Sequence, residues 1–139
     1  ENEWTEMECP SSFSDNRSVL SSDKLPPVFD YQDFLNRLGG NETILNGLLP
    51  LIPDLLAEGI EKLKSALDSK DAREIMACAH AIKGSCANFS AKRIRDTASE
   101  IEYAGKEGRV DVACSMIDRL EREAAQLLSV LSERFPDIF

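Results

Sequence analysis

The sequence has a single histidine and few aromatic residues, and none of its four cysteines belongs to a C-x-x-C pair. A zinc site made of paired cysteines and histidines is therefore not expected, and no other metal or cofactor is predicted. The cysteines in helical segments are predicted to pack as small apolar residues in a reduced setting. Aromatic residues form 6% of the chain, and leucine, isoleucine and alanine dominate its apolar set. This composition favours helices over strands.

Positive charge is also scarce, with 16 Lys and Arg against 25 Asp and Glu and a net charge of −9. Such an excess of acid argues against non-specific nucleic-acid binding. One window breaks the trend. The stretch from Ile75 to Arg95 has no Asp or Glu, and besides Arg95 it contains Lys83, Lys92 and Arg93. This basic window is either chance clustering on a solvated face or a surface suited to a phosphate and an acidic partner.

Long apolar runs are missing as well, since none approaches the roughly 20 residues that span a bilayer, and no secretory signal is visible. We therefore expect a cytoplasmic domain. The chain begins at Glu1 rather than Met, so we expect a piece of a longer protein, and any membrane segment of that parent would lie upstream. Residues 1–28 are polar and end near Pro26-Pro27, which predicts a linker or flexible arm before one domain over 29–139.

The remaining pattern predicts an all-α fold, an antiparallel up-down-up-down four-helix bundle with a short additional N-terminal helix. Predicted helices follow caps at Asp30, Asn41, Asp71 and Ser90, and the last runs over about 110–134. Pro50 and Pro53 predict a bend or break early in the second helix, which otherwise runs over about 42–69. The inward positions include Leu45, Leu48, Ile52, Leu55, Leu63, Leu67, Ile94, Ala98, Ile101, Ile117, Leu120, Ala124, Leu127 and Leu131.

The single histidine, His80, lies in the third predicted helix, about 140° from its buried stripe of Ile75, Ala79, Ile82 and Cys86. It should therefore face solvent, on the same side as Met76, Lys83, Gly84 and Ala87. Imidazole can carry a phosphoryl group, an ammonium group can neutralise it, and a glycine gives a partner room. A glycine inside a helix costs about 1 kcal/mol relative to alanine. Each residue alone would be an ordinary surface residue, but their combination favours a function.

These residues resemble a known family. The run Ala79-His80-Ala81-Ile82-Lys83-Gly84-Ser85-Cys86-Ala87-Asn88-Phe89 is similar to the phosphoacceptor segment of histidine-containing phosphotransfer (Hpt) domains. Asp30-Tyr31-Gln32-Asp33-Phe34-Leu35-Asn36-Arg37-Leu38-Gly39-Gly40-Asn41 resembles the family's usual opening, so the resemblance covers roughly residues 29–135. Such domains relay phosphoryl groups between aspartates of response-regulator receiver domains.

The resemblance implies a role for each matching residue. His80 would be the phosphoacceptor, Lys83 would stabilise the phosphate, and Gly84 would clear space for the receiver. Glu102 stands where the family often has a glutamine that hydrogen-bonds the imidazole, and it would orient the ring. Ser90 replaces a glycine common at the following turn, and we expect it to act as an N-cap.

Receiver domains are the partners that the resemblance implies, and they would bring the Mg²⁺ that the reaction needs. Docking is predicted on apolar residues near the site and on the basic window, namely Phe34, Leu38, Leu45, Met76, Ala87, Lys92 and Arg95. A single phosphoacceptor face needs no twofold partner, so we expect a monomer. The polar stretch before the domain and the start without Met suggest the terminal domain of a hybrid sensor histidine kinase.

Two other readings compete with phosphotransfer. In a helical adaptor His80 would be incidental, and His80→Gln would leave partner binding unchanged. A di-iron bundle enzyme needs inward Glu-x-x-His pairs, which one outward histidine does not supply. The sequence also has no G-x-x-x-x-G-K-[ST] phosphate loop, so kinase activity is not expected of this chain.

Overall fold

The computed structural model describes residues 26–139, and within that span the regular elements are all α-helices, without a strand. The all-α class is therefore confirmed. The helices are α1 Tyr31–Arg37, α2 Glu42–Leu48, α3 Leu51–Ser69, α4 Ala72–Asn88, α5 Lys92–Lys106, α6 Val110–Ser115 and α7 Ile117–Arg134. The predicted linker over 1–28 lies almost wholly outside the described residues, so its boundary with the domain stays a prediction.

Three helices begin where a side-chain cap was predicted. The carboxylate of Asp30 accepts a hydrogen bond from the backbone N–H of α1, Asn41 does the same for α2, and Asp71 accepts two for α4. Each cap satisfies donors that the first turn of a helix leaves without an internal partner. These starts were predictable because the chemistry involved is local.

The break expected near Pro50 is present, since α2 ends at Leu48 and α3 begins at Leu51. Pro53 lies in the first turn of α3, where backbone N–H groups have no partner within the helix, so it causes no second interruption. Among residues 26–139 no single helix is both long and apolar enough to cross a bilayer. The pair α2 and α3 passes that length and composition test together but is bent by 41°.

The last predicted helix, over 110–134, is wrong as a single element. Met116 closes α6 and precedes α7, with φ −96° and ψ −7°. No glycine or proline marks this break, and the apolar spacing continues across it, so the sequence gives no local signal. Ile117, predicted to point inward, is only half-buried because it is the first residue after the break.

The prediction that Ser90 caps α5 is also wrong. Ala91 holds the N-cap position without a side-chain hydrogen bond, and Ser90 has a left-handed backbone with φ 59°. Its buried hydroxyl donates instead to Oδ2 of Asp33 over 2.6 Å, which ties the turn after α4 to α1. The left-handed backbone explains why a glycine suits this position, because only glycine adopts it without steric cost.

The core is built from the apolar stripes of all seven elements, and its largest fully buried apolar side chains are Phe34, Leu45, Leu49, Ile52, Leu63, Ile75, Ile94, Ile101, Leu120, Leu127 and Leu131. Most predicted inward positions are therefore confirmed. The prediction that Leu55 points inward is wrong, because this residue is 42% exposed. The buried stripe of α3 passes through Ile52 and Leu56, and Leu55 lies about 100° round the helix from Leu56.

Helix α4 packs against both α3 and α5, and glycines face it on each side. A Cβ added at Gly59 of α3 would lie 3.0 Å from Cγ1 of Ile82. A Cβ added at Gly105 of α5 would lie 3.0 Å from the backbone nitrogen of Met76 and 3.1 Å from the carbonyl oxygen of Ala72. The backbone of α5 therefore approaches that of α4 more closely than any larger residue at 105 would allow.

Two buried groups complete the interior. The hydroxyl of Thr97 on α5 donates to Glu123 on α7, and burial raises the pKa of the Glu123 carboxyl. The cysteines of the described segment are free thiols, and Cys86 is fully buried as an apolar residue. Burial raises the pKa of the Cys86 thiol to about 12, which leaves it inert at neutral pH.

Candidate functional site

His80 lies in the middle of α4 and points away from the core, as predicted. Its neighbours Ala79 and Ile82 are buried, whereas the side chain of His80 is 66% exposed. An imidazole in this position is open to a partner on one side and anchored by a regular helix on the other. The helix fixes the backbone, so the remaining freedom is the rotation of the ring.

Glu102 on α5 removes most of that rotational freedom. Its Oε2 lies 2.8 Å from Nδ1 of His80, and its Oε1 lies 2.6 Å from Nζ of Lys83. One carboxylate thus contacts both polar residues of the predicted site on α4, His80 and Lys83. The structure brings together three of the four predicted central residues, and the role that the resemblance implied for Glu102 has the geometry it needs.

The charge state of Glu102 decides which imidazole nitrogen carries the proton. The hydrogen bond from Lys83 lowers the pKa of the Glu102 carboxyl, and the bond to His80 lowers it further, against the opposing effect of partial burial. An ionised carboxylate can only accept hydrogen bonds. In the neutral ring Nδ1 of His80 therefore donates, and Nε2 keeps its lone pair. Within residues 26–139 the structure gives Nε2 no hydrogen-bond partner.

Gly84 lies one turn after His80, on the exposed face of α4. A Cβ added there would meet nothing within 4 Å, so the glycine is not required by packing inside this chain. It differs in this from Gly105, whose missing side chain is required by α4. The space beside Gly84 remains open to a second molecule.

Gly105 is the site residue that sequence reasoning missed. It lies one helical turn after Glu102, and its close contact with Met76 sets how near α5 comes to α4 at the level of the site. The signal in the sequence was a glycine inside a helix, which is unfavourable by about 1 kcal/mol relative to alanine. Its part in placing Glu102 was not predicted.

The docking prediction is wrong for two residues, because their side chains lie in the core. Phe34 is 2% exposed and Leu45 is 1% exposed. Phe34 packs edge-on against the rings of Phe29 and Phe89, which cover it. Neither residue presents a surface to a partner. The other predicted apolar contacts, Leu38, Met76 and Ala87, are half-buried and keep part of their surface accessible.

The predicted basic contacts, Lys92 and Arg95, both have acidic neighbours. Nζ of Lys92 lies 3.0 Å from Oδ2 of Asp30, and Arg95 binds the carboxylate of Asp96 at 2.9 Å. Lys92 therefore helps to fasten the start of α1 to α5. Both cations are half-buried, so the basic window is more balanced by acid in three dimensions than in the sequence.

An exposed apolar strip runs along α2 and α3 and was not predicted as a surface. It consists of Ile44, Leu51 and Leu55. Leu55 also lines a groove of about 160 Å³ between α3 and α4, together with Gly59, Ala81, Ser85 and four further residues of the two helices. Ala81 and Ser85 lie about 100° and 140° round α4 from His80, so the groove opens on the side of α4 that faces α3.

Comparison with known proteins identifies the family to which this chain belongs. The model of the Hpt domain family matches residues 52–130, which is more than half of the chain and includes His80, Lys83, Gly84 and Glu102. The chain therefore belongs to the Hpt domain family, whose members transfer phosphoryl groups in two-component phosphorelays and interact with receiver domains. The opening segment over 30–41 lies outside the matched range.

A solved structure supports the fold independently. The chain is similar to histidine-containing phosphotransfer protein B from Pseudomonas aeruginosa PAO1, with a TM-score of 0.72 and 24% sequence identity. The alignment covers 78% of this chain and 94% of that protein. No curated protein matches the sequence.

Proposed function

We propose that His80 accepts a phosphoryl group on Nε2 from a receiver phosphoaspartate and passes it to the aspartate of another receiver. The observation that carries this proposal is the contact between Nδ1 of His80 and Glu102 on an otherwise exposed imidazole. It fixes the ring, places the proton on Nδ1 and leaves the lone pair of Nε2 available. A positioned nucleophile is what a phosphocarrier has to contribute.

The other site residues have complementary roles. As the lone pair of Nε2 attacks phosphorus, the bond from phosphorus to the aspartate oxygen breaks and its electrons remain with the carboxylate. Lys83 lies one turn from His80, where its ammonium offsets the charge of the phosphoryl group. Gly84 leaves room for the receiver backbone beside the reacting atoms. The same geometry serves the reverse transfer.

For docking we propose the apolar strip of Ile44, Leu51 and Leu55, continued by the groove between α3 and α4. Exposed apolar side chains are typical of protein interaction surfaces. Leu38, Met76 and Ala87 would add contacts at the edge of the site. Lys92 and Arg95 would contribute less, since acidic neighbours already bind them.

The finer architecture is also part of this proposal. We infer that α3, α4, α5 and α7 form the antiparallel up-down-up-down bundle, with α1 as the short additional helix. Short connections at Lys70-Asp71 and at 89–91 support it, because helices joined by so few residues pack antiparallel. We expect the domain to be monomeric.

The chemistry requires nothing of this chain beyond its own side chains. The activated acyl phosphate and the Mg²⁺ that supports it come with the receiver, so this domain needs no cofactor and no ATP site of its own. It is a phosphocarrier rather than a kinase, although its parent is proposed to be a hybrid histidine kinase. Because receivers are its partners, we propose that it acts in the cytoplasm.

Incubation with a phosphorylated receiver domain, followed by intact-mass spectrometry at neutral to alkaline pH, tests the proposal. The wild type should gain one phosphoryl group that acid removes, and His80→Gln should gain none. The Lys64→Gln variant is a suitable control, because Lys64 is an exposed lysine of α3 paired with Glu121. Equal labelling of the wild type and His80→Gln would overturn the assignment.

A further inference from the structure

Glu102 is a carboxylate, and it differs chemically from an amide of the same shape in the same place. A carboxylate can only accept a hydrogen bond from Nδ1–H, whereas an amide can either accept from it or donate to an unprotonated Nδ1. An amide therefore suits both protonation states of the ring, while Glu102 at 2.8 Å favours the protonated nitrogen. The consequence depends on what happens to that proton after transfer.

Charge balance shows why the proton matters. When Nε2 of neutral His80 takes the phosphoryl group, the ring keeps its Nδ1 proton and becomes a phosphorylated imidazolium. If this proton leaves to water, the product is a neutral ring carrying the phosphoryl group, and breaking the bond to phosphorus would then expel an imidazolate anion. If the proton stays, the same bond breaks to give neutral imidazole, a far better leaving group.

We propose that Glu102 retains the Nδ1 proton of His80 after phosphorylation, so that the phosphohistidine of this domain is short-lived and readily gives up its phosphoryl group. This inference rests on the proposed function and concerns the same site. The negative charge of Glu102 stabilises the imidazolium form, and that form is the reactive one. The domain would thus favour fast, reversible relay over storage of phosphate.

The surroundings of the imidazole support this assignment. On its own helix Lys83 faces it, and on α5 Glu102 does. Among residues 26–139 no ion pair or hydrogen bond joins the imidazole to Glu58 or Lys62 on α3 or to Asp111 on α6. Lys83 lowers the pKa of the Glu102 carboxyl, so the carboxylate is ionised at neutral pH and available to hold the proton.

Phosphohistidine lifetime as a function of pH tests the inference. The full chain is phosphorylated with phosphoramidate, which needs no receiver, and loss of the phosphoryl mass is followed at several pH values. Glu102→Gln is the informative variant because it keeps the shape and removes the charge. Glu121→Gln is the matched control, because Glu121 is also a carboxylate bound to a lysine, on α7.

A negative charge within a few ångströms stabilises a protonated, positively charged ring. We therefore expect Glu102→Gln to lengthen the phosphohistidine lifetime near neutral pH by about tenfold or more. Glu121→Gln should behave as the wild type. Identical decay profiles for the wild type and Glu102→Gln would overturn the inference, as would a Glu102→Gln variant that accepts no phosphoryl group.

A second readout follows the proton itself. His80 is the only histidine of the chain, so the ring nitrogen-15 NMR signals of the phosphorylated domain belong to it without further assignment. Nδ1 should remain protonated at neutral pH in the wild type and lose its proton in Glu102→Gln. A wild type that takes up no phosphoryl group would instead contradict the proposed function, which distinguishes the two failures.

Discussion

The Cβ position of Gly105 lies 3.0 Å from the backbone nitrogen of Met76, one helical turn before His80. This contact joins the fold to the site, because Glu102 lies one turn before Gly105 on the same helix. Any side chain at position 105 would push α5 away from α4. The reach of the Glu102 carboxylate to both His80 and Lys83 therefore depends on a residue that touches neither of them.

Gly105→Ala should accordingly lower the free energy of unfolding by about 1–3 kcal/mol, the usual effect of overpacking a tight contact. It should also slow phosphoryl acceptance, since Glu102 moves away from the imidazole. Gly47→Ala is the control, because a Cβ there meets nothing within 4 Å, and replacing a helical glycine should stabilise the domain slightly. Urea denaturation measures the stabilities of the two variants, and intact-mass spectrometry measures phosphoryl acceptance. Equal stabilities of the two variants would contradict the packing role of Gly105.

Gly84 should show the opposite combination of effects. Gly84→Ala is expected to raise the free energy of unfolding by about 1 kcal/mol, because the glycine is in a helix and its Cβ position is open. The larger Gly84→Gln should slow transfer from a phosphorylated receiver by about tenfold or more through steric exclusion of the partner. Intact-mass spectrometry of samples quenched at successive times measures the transfer rate.

A small donor separates steric exclusion of the receiver from damage to the site. Phosphoramidate should phosphorylate Gly84→Gln at the rate of the wild type, because it needs no docking surface. A Gly84→Gln variant that is slow with both donors would show that Gly84 matters to the imidazole itself, and the clearance role would be wrong.

Lys83→Gln should slow acceptance from a receiver by about tenfold to a hundredfold, because it removes the ammonium group that lies one turn from His80 and that we assign to the phosphoryl charge. The fold should be preserved, since the side chain is partly exposed and lies on the surface of α4. Lys64→Gln serves as the control, with the same change of charge away from α4. Initial rates of labelling decide the matter, and equal rates for the two variants would remove Lys83 from the mechanism.

Ser90 offers a test of the turn between α4 and α5. Ser90→Ala and Ser90→Gly both lose the hydroxyl that donates to Asp33. Both keep the left-handed backbone at this position, which is strained for alanine but not for glycine. Ser90→Ala should therefore be less stable than Ser90→Gly by about 1 kcal/mol. Thermal or urea denaturation measures the difference, and a glycine variant that is the less stable of the two would contradict this view of the turn.

Much of this fold was predictable because its signals are local. Asp71 caps α4 through its own side chain. Pro50 interrupts the second predicted helix whatever its packing partners are, because the interruption depends on the proline itself. His80 was placed correctly because its angle from the buried stripe depends only on the spacing of apolar residues within one helix. Such features need no knowledge of the neighbouring helices.

The errors concern features that neighbouring elements decide. Phe34 is buried because Phe29 and Phe89 cover it, which its own helix does not reveal. Ser90 looked like a cap, but its backbone conformation follows from the turn that α4 and α5 require. The hydrogen bond that Lys83 donates to Glu102 likewise depends on how closely two helices approach, and the spacing of residues along one helix does not show this.

The most direct test of the central claim is to determine which atom of the phosphorylated domain carries the phosphoryl group. Phosphorus-31 and nitrogen-15 NMR of the full chain, loaded with phosphoramidate and kept at mildly alkaline pH, distinguish the two ring nitrogens of His80. We expect phosphorylation at Nε2, with Nδ1 facing Glu102. Phosphorylation at Nδ1, or on a residue other than His80, would contradict this expectation.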